Sequence, residues 1–152
     1  MEQRVSLITL GVSNLARATA FYEALGWKRG LLGAEGVSFF QTGGMILGLW
    51  PREELVKDAR IGAAEAAAPP GVGVALAYNA RSREEVDAVL AEAEAAGATL
   101  PRPAEDTSWS GYTGYFRDTE GFLWEIAWNP GFAIAEDGSV MLPDQGQNVP
   151  ET

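Results

Sequence analysis

Apolar positions along the chain fall into short runs separated by glycine, and the spacing inside each run identifies its element. Residues 5–12, Val-Ser-Leu-Ile-Thr-Leu-Gly-Val, form an apolar run of strand length. Ser13-Asn14 then offers side-chain oxygens that cap a helix, and Leu15, Ala18, Tyr22 and Leu25 recur at helical spacing. Gly26 closes that helix, because glycine adopts the left-handed backbone of a helix end without a Cβ clash. Residues 27–32, 37–42 and 45–50 read as short strands, with Gly43-Gly44 as a tight hairpin turn between the last two.

The pattern then changes and starts again. Pro51-Arg-Glu-Glu opens a short helical piece, and an alanine-rich stretch ending in Pro69-Pro70-Gly71 marks residues 51–71 as a linker. A strand over 72–78 is followed by Ser82 and Glu85, spaced as a capping box, and by Val86, Val89, Leu90 and Ala93 at helical spacing. Gly97 closes this second helix. A strand near Thr99 and strands over 112–117 and 122–128 complete the unit, the last two joined by Asp118-Thr-Glu-Gly121. The order strand, helix, strand, strand, strand thus occurs twice, and the two helix-closing glycines lie 71 residues apart. The expectation is one α+β domain over 1–152. It comprises a βαββ module over 4–50, the linker, a second module over 72–130 and an acidic, turn-rich tail over 131–152, which adds a hairpin or lies on the surface.

Composition narrows the chemistry. The 152 residues include no cysteine and no histidine. This excludes a disulfide framework, a thiolate nucleophile, a zinc finger, an iron–sulfur cluster and any histidine-based triad. Carboxylates, hydroxyls, amides, arginine and the backbone remain. Eleven Lys and Arg against 21 Asp and Glu leave a formal net charge of −10, with no dense basic cluster to neutralise phosphates or to hold an anionic membrane. Neither a nucleic acid nor a membrane is therefore an expected partner. The N-terminus carries no signal-like apolar segment, no run approaches the ~20 residues that span a bilayer, and a cytoplasmic location is expected. Gly71-Val-Gly73-Val lacks the third glycine of a nucleotide loop and precedes a strand.

Three segments in order resemble one known family. They are Ile8-Thr-Leu-Gly-Val-Ser-Asn-Leu15 with Phe21-Tyr-Glu-Ala-Leu-Gly-Trp27; Glu84-Glu-Val-Asp-Ala-Val-Leu90 with Ala95-Ala-Gly97; and Gly114-Tyr-Phe-Arg-Asp-Thr-Glu-Gly-Phe-Leu-Trp-Glu-Ile-Ala-Trp-Asn-Pro130. The chain is similar there to the vicinal-oxygen-chelate superfamily, the glyoxalase/bleomycin-resistance/dioxygenase proteins. That resemblance implies paired βαβββ-type repeats whose mixed sheets curl around a concave pocket, and a homodimer. In metal-using members four strand positions hold one divalent ion. Their counterparts are Leu7, Gly48, Val74 and Glu125, of which Glu125 alone bears a metal-binding group, so the resemblance is to a member depleted of metal ligands, with no cofactor. The turn Asp118-Thr119-Glu120-Gly121 also lacks the family's proline.

Alternation places Leu123, Glu125 and Ala127 on one face of their strand. A carboxylate there is costly unless it is paired or wet. Glu125 is read either as a pocket group that accepts a hydrogen bond or acts as a base, or as an architectural residue satisfied by Arg, Tyr or water. Trp109 or Tyr112, Trp50 and Phe39 are candidate ring surfaces for the pocket, beside Leu7, Gly48 and Val74; Arg102 and Arg117 face either an anionic ligand or solvent. The functions implied are a metal-independent binder of a small, partly aromatic molecule or, alternatively, a lyase, isomerase or dioxygenase-type enzyme using Glu125.

Overall fold

The computed structural model describes residues 6–60, 62 and 74–140. Most of the expected linker, the start of the strand predicted from residue 72 and the tail beyond 140 lie outside these residues.

Among the described residues eleven elements follow in order: β1 (Leu7–Val12), α1 (Leu15–Ala24), β2 (Arg29–Gly30), β3 (Ser38–Thr42), β4 (Met45–Pro51), α2 (Arg52–Asp58), β5 (Ala75–Asn79), α3 (Arg83–Ala95), β6 (Thr99–Asp106), β7 (Tyr112–Arg117) and β8 (Leu123–Trp128). The caps explain the helix boundaries. Asn14 Oδ1 accepts from the Arg17 N–H at 2.9 Å, and Ser82 Oγ accepts from the Glu85 N–H at 3.2 Å. Gly26 and Gly97 follow the helices at φ +82° and +107°. The capping box is only half made: the Glu85 carboxylate turns to the Arg81 N–H and the Tyr78 hydroxyl instead of the Ser82 N–H.

The duplication seen in the sequence is a duplication of topology. One sheet has strand order β1-β4-β3-β2 and the other β5-β8-β7-β6, with β1–β4 and β5–β8 parallel and the other pairs antiparallel. The fold is α+β, with two curled mixed sheets that do not close. The edges depart from the sequence pattern. β2 shrinks to two residues because Leu31 adopts φ +48° and, with Leu32, stands in solvent. β6 carries Pro101 and Pro103 and shifts register twice against β7, which a sheet edge tolerates. In the tail, Ile134 and Val140 form a single antiparallel bridge.

One face of each sheet is covered by helix. Leu10, Val12, Phe40, Leu47 and Leu49 pack with Ala18, Phe21 and Tyr22 of α1, and Phe116, Trp124 and Ile126 pack with Val86, Leu90 and Ala93 of α3, in one continuous core. The modules join there. Phe21 meets Phe116 at 6.1 Å, and Tyr22 and Trp27 meet Trp124 at 6.2 and 5.9 Å. The Tyr22 hydroxyl donates to Asp118 at 2.7 Å and accepts from Trp124 Nε1. Strand residues of this core come from the faces covered by α1 and α3; the opposite faces carry neither of these helices, although α2 reaches the end of the first and Thr113 and Ala127 are buried on the second.

Candidate functional site

Register decides which side chains share a helix-free face. In the first sheet Thr9, Gly48 and Phe39 stand side by side, with Leu7 opposite Ile46 and Gly11 opposite Trp50. Leu7, Phe39, Gly48 and Trp50 therefore lie on one surface. Gly48 is a shelf for the Phe39 ring: a Cβ there would meet Phe39 Cε1 and Thr9 Oγ1 at 3.4 Å. α2 leans over the end of this surface, where Leu55 Cδ2 comes within 3.2 Å of a Cβ built on Gly11.

In the second sheet Glu125 stands between Ala77 of β5 and Tyr115 of β7. Val74 precedes β5 and is 68% exposed, so it is not the strand neighbour of Glu125; Ala77 is. On β1, likewise, Thr9 rather than Leu7 pairs with Gly48. Register thus sets Thr9 and Ala77 beside Gly48 and Glu125.

Tyr112 is also displaced from its expected place. It pairs with Trp128, three positions along from the Tyr115–Glu125 pair and so on the opposite face, and its hydroxyl donates to Asp87 of α3 at 2.9 Å. The Arg83 guanidinium lies 5.1 Å from the Tyr112 ring and 5.3 Å from the Trp128 ring. Tyr112 thus belongs to the helix-bearing face. Trp109 folds its ring over Gly111, where a Cβ would lie 1.7 Å from Trp109 Cζ3.

Two groups of the second sheet's open face had weaker sequence signals. Arg102 donates through Nη2 to the Thr113 carbonyl at 2.9 Å and to the Thr113 hydroxyl, reaches Glu105 at 3.2 Å through Nη1, and stacks 5.0 Å from the Tyr115 ring centroid. Its guanidinium stays beside the sheet rather than in solvent. Burial, then the Glu125 charge and its hydrogen bond, push the Tyr115 phenol above its ordinary range. It is protonated at neutral pH and donates. The face therefore offers a carboxylate, a phenol oxygen whose proton is held by that carboxylate, and a positive plane on three adjacent strands.

These donors do not fit a divalent metal. Among the described residues no three His, Cys, Asp or Glu side chains form a metal-binding group, and the matched strand positions Thr9, Gly48, Ala77 and Glu125 supply one carboxylate and one hydroxyl. A hard cation needs about six oxygens.

Residues 4–126 match the family model described as the Glyoxalase/Bleomycin resistance protein/Dioxygenase superfamily. The chain belongs to this superfamily. A glyoxalase-related enzyme from Fulvimarina pelagi shares 34% identity over 93% of this chain and 99% of its own, with a TM-score of 0.83. A glyoxalase/bleomycin resistance protein/dioxygenase family enzyme from Burkholderia phytofirmans (22% identity, 80% and 95% covered, TM-score 0.71) and a lactoylglutathione lyase from Agrobacterium tumefaciens (21%, 85% and 96%, 0.61) share the superfamily fold. No curated protein sequence matches the chain. No helix among the described residues is long and apolar enough to cross a membrane.

Proposed function

We propose that this superfamily member binds a small, partly aromatic molecule on the helix-free faces of its sheets without a metal ion, and that a second copy of the chain completes the pocket. The observation that carries this reading is the Thr9, Gly48, Ala77 and Glu125 set, in which three of four strand positions bear no metal-binding charge while rings stand beside them. Phe39 and Trp50 supply flat apolar surface. The Glu125 carboxylate and the Tyr115 oxygen, whose proton goes to Glu125, supply acceptors that orient a polar substituent, and Arg102 flanks them. The second copy is argued from exposure: Leu7 is 44% exposed, and Thr9, Ala75 and Ala77 are open on the same faces.

Elemental analysis of the purified protein after mild dialysis tests the metal-free reading. Well under one Ni, Zn, Fe or Mn per chain is expected; about one per chain overturns it. Glu125→Gln keeps the shape of the side chain and removes its charge. The binding reading expects unchanged melting with altered ligand preference. An architectural Glu125 instead loses about 1–3 kcal/mol of stability with ligand preference intact. The adjacency of Glu125 and the protonated Tyr115 favours one second reading, a lyase or isomerase in which Glu125 takes a proton from bound substrate. Turnover abolished in Glu125→Gln with binding retained distinguishes it.

A further inference from the structure

A cavity of about 140 Å³ lies on the helix side, at the seam between the modules, and the function proposed above does not use it. Tyr22 and Trp27 wall it from the first module, Phe116 and Trp124 from the second. The rings are held by one another: Tyr22 and Trp27 at 5.2 Å, Trp27 edge-on to Trp124 at 5.9 Å, Phe116 stacked on Trp124 at 11°. An apolar cavity of about 150 Å³ stays dry and accepts benzene, so one six-membered ring fits here and a fused bicycle does not.

The exposed end of the cavity is polar. Glu92 and Tyr78 line it, next to Val89, and among the described residues no lysine or arginine lines it, the nearest positive influence on Tyr78 being Arg81, whose guanidinium is held by the carbonyls of Ile134 and Ala135. Tyr78 spends its proton on Glu85 at 2.7 Å, which leaves its oxygen free to accept. Burial and Glu85 push that phenol up to about 12, so it remains a neutral acceptor at physiological pH. Aromatic faces, a carboxylate and a phenol oxygen all favour a cation over an anion. A formal charge of −10 attracts the same class from solution.

We infer that this cavity is a second ligand site, which takes a small primary ammonium compound bearing one aromatic ring. The ring lies among Tyr22, Trp27, Phe116 and Trp124, and the ammonium points out to Glu92 and Tyr78. Because its walls come from both modules, an occupant stabilises the seam.

Three probes of one size test the assignment on the full-length protein: 2-phenylethylammonium, 2-phenylethanol and phenylacetate. The ammonium is expected to saturate tryptophan fluorescence with a Kd of roughly 0.1–1 mM, which a ligand this small can reach. The alcohol should bind about five- to thirtyfold more weakly, the range a cation–π and carboxylate contact supports, and the acid more weakly still. Bound 2-phenylethylammonium should raise the melting temperature and shift the methyl resonances of Val89 and Ile126. Glu92→Gln, at an exposed position, should cut the preference for the ammonium several-fold and leave alcohol binding unchanged; Val89→Phe should fill the space and abolish both. No saturation by any probe up to about 10 mM, equal binding of all three, a preference undiminished in Glu92→Gln, or shifts confined to Leu123 and Ala127 on the opposite face would each overturn the assignment.

Discussion

Glu120 is a turn residue by its neighbours and an anchor by its contacts. Its carboxylate accepts from the Ser13 N–H and hydroxyl, both at 2.7 Å, and from Arg17 Nη2 at 2.6 Å, and its side chain is 4% exposed. Burial alone would push this carboxyl up, but Ser13 and Arg17 outweigh it and hold it below its ordinary range. A carboxyl lowered by folding contributes stability that is present above its unfolded value of about 4.3 and is lost as pH falls through the folded value. Glu120→Gln should therefore cost roughly 1–2 kcal/mol at pH 7, a charge-assisted bond discounted for the half-exposed Arg17. Urea unfolding should show the gap between parent and variant closing below about pH 4; a gap independent of pH refutes the account. Asp118 in the same turn behaves in the opposite sense. Burial raises it, against hydrogen bonds from Tyr22, Glu120 and Phe122, so its contribution is greatest at low pH and declines as pH rises through the raised value. The turn was legible in Asp118-Thr-Glu-Gly121, but the role of Glu120 was not, because its partners are over a hundred residues away and nothing local distinguishes it from a solvated glutamate.

At the scale of elements, legibility followed local chemistry. Both long helices are written in a capping oxygen, a helical apolar repeat and a closing glycine, and β7 in its small–large alternation. The sheet edges were not, since β2 and β6 are limited by missing partners and by prolines rather than by apolar content. The face on which Tyr112 and Val74 lie depended on strand register, which no single strand carries. Packing between elements is tightest at Gly114. A Cβ there would meet Leu90 Cδ1 at 2.5 Å and the backbone nitrogen of Ala104 at 2.9 Å, whereas at Gly48 the nearest atoms stand at 3.4 Å. Gly114→Ala must move α3 or β6 and should lose about 1–3 kcal/mol, while Gly48→Ala should lose far less. Chemical denaturation of the pair decides it; equal losses would mean that β6 yields freely.

For the whole molecule, the site was legible as a surface and not as an enclosure. The family resemblance placed Leu7, Gly48 and Glu125, and spacing put Trp50 on the face of Gly48, but nothing in the chain announces which of Phe39 and Phe40 joins them or that the shared core lies on the helix side. From that arrangement a dimer is expected: light scattering at micromolar concentration should give about twice the 16.2 kDa chain mass. Ala77→Arg, which sets a charge on the open face of β5, should return the mass to that of one chain. A parent that already scatters as a single chain removes the second copy from the proposed pocket.

The seam also shows how far the two repeats have grown apart. When the helix-closing Gly26 and Gly97 are aligned, Phe21 and Tyr22 fall opposite Glu92 and Ala93. One helix sends two rings into the neighbouring half; its counterpart presents a carboxylate and a methyl group. The halves are thus no longer interchangeable. A chain made by writing the first half twice would crowd four rings into space that now holds two, and the second half twice would bring small and charged side chains together where Tyr22 now reaches Asp118. Each repeat has become the specific complement of the other, so further divergence in either is constrained by a surface it does not itself contain.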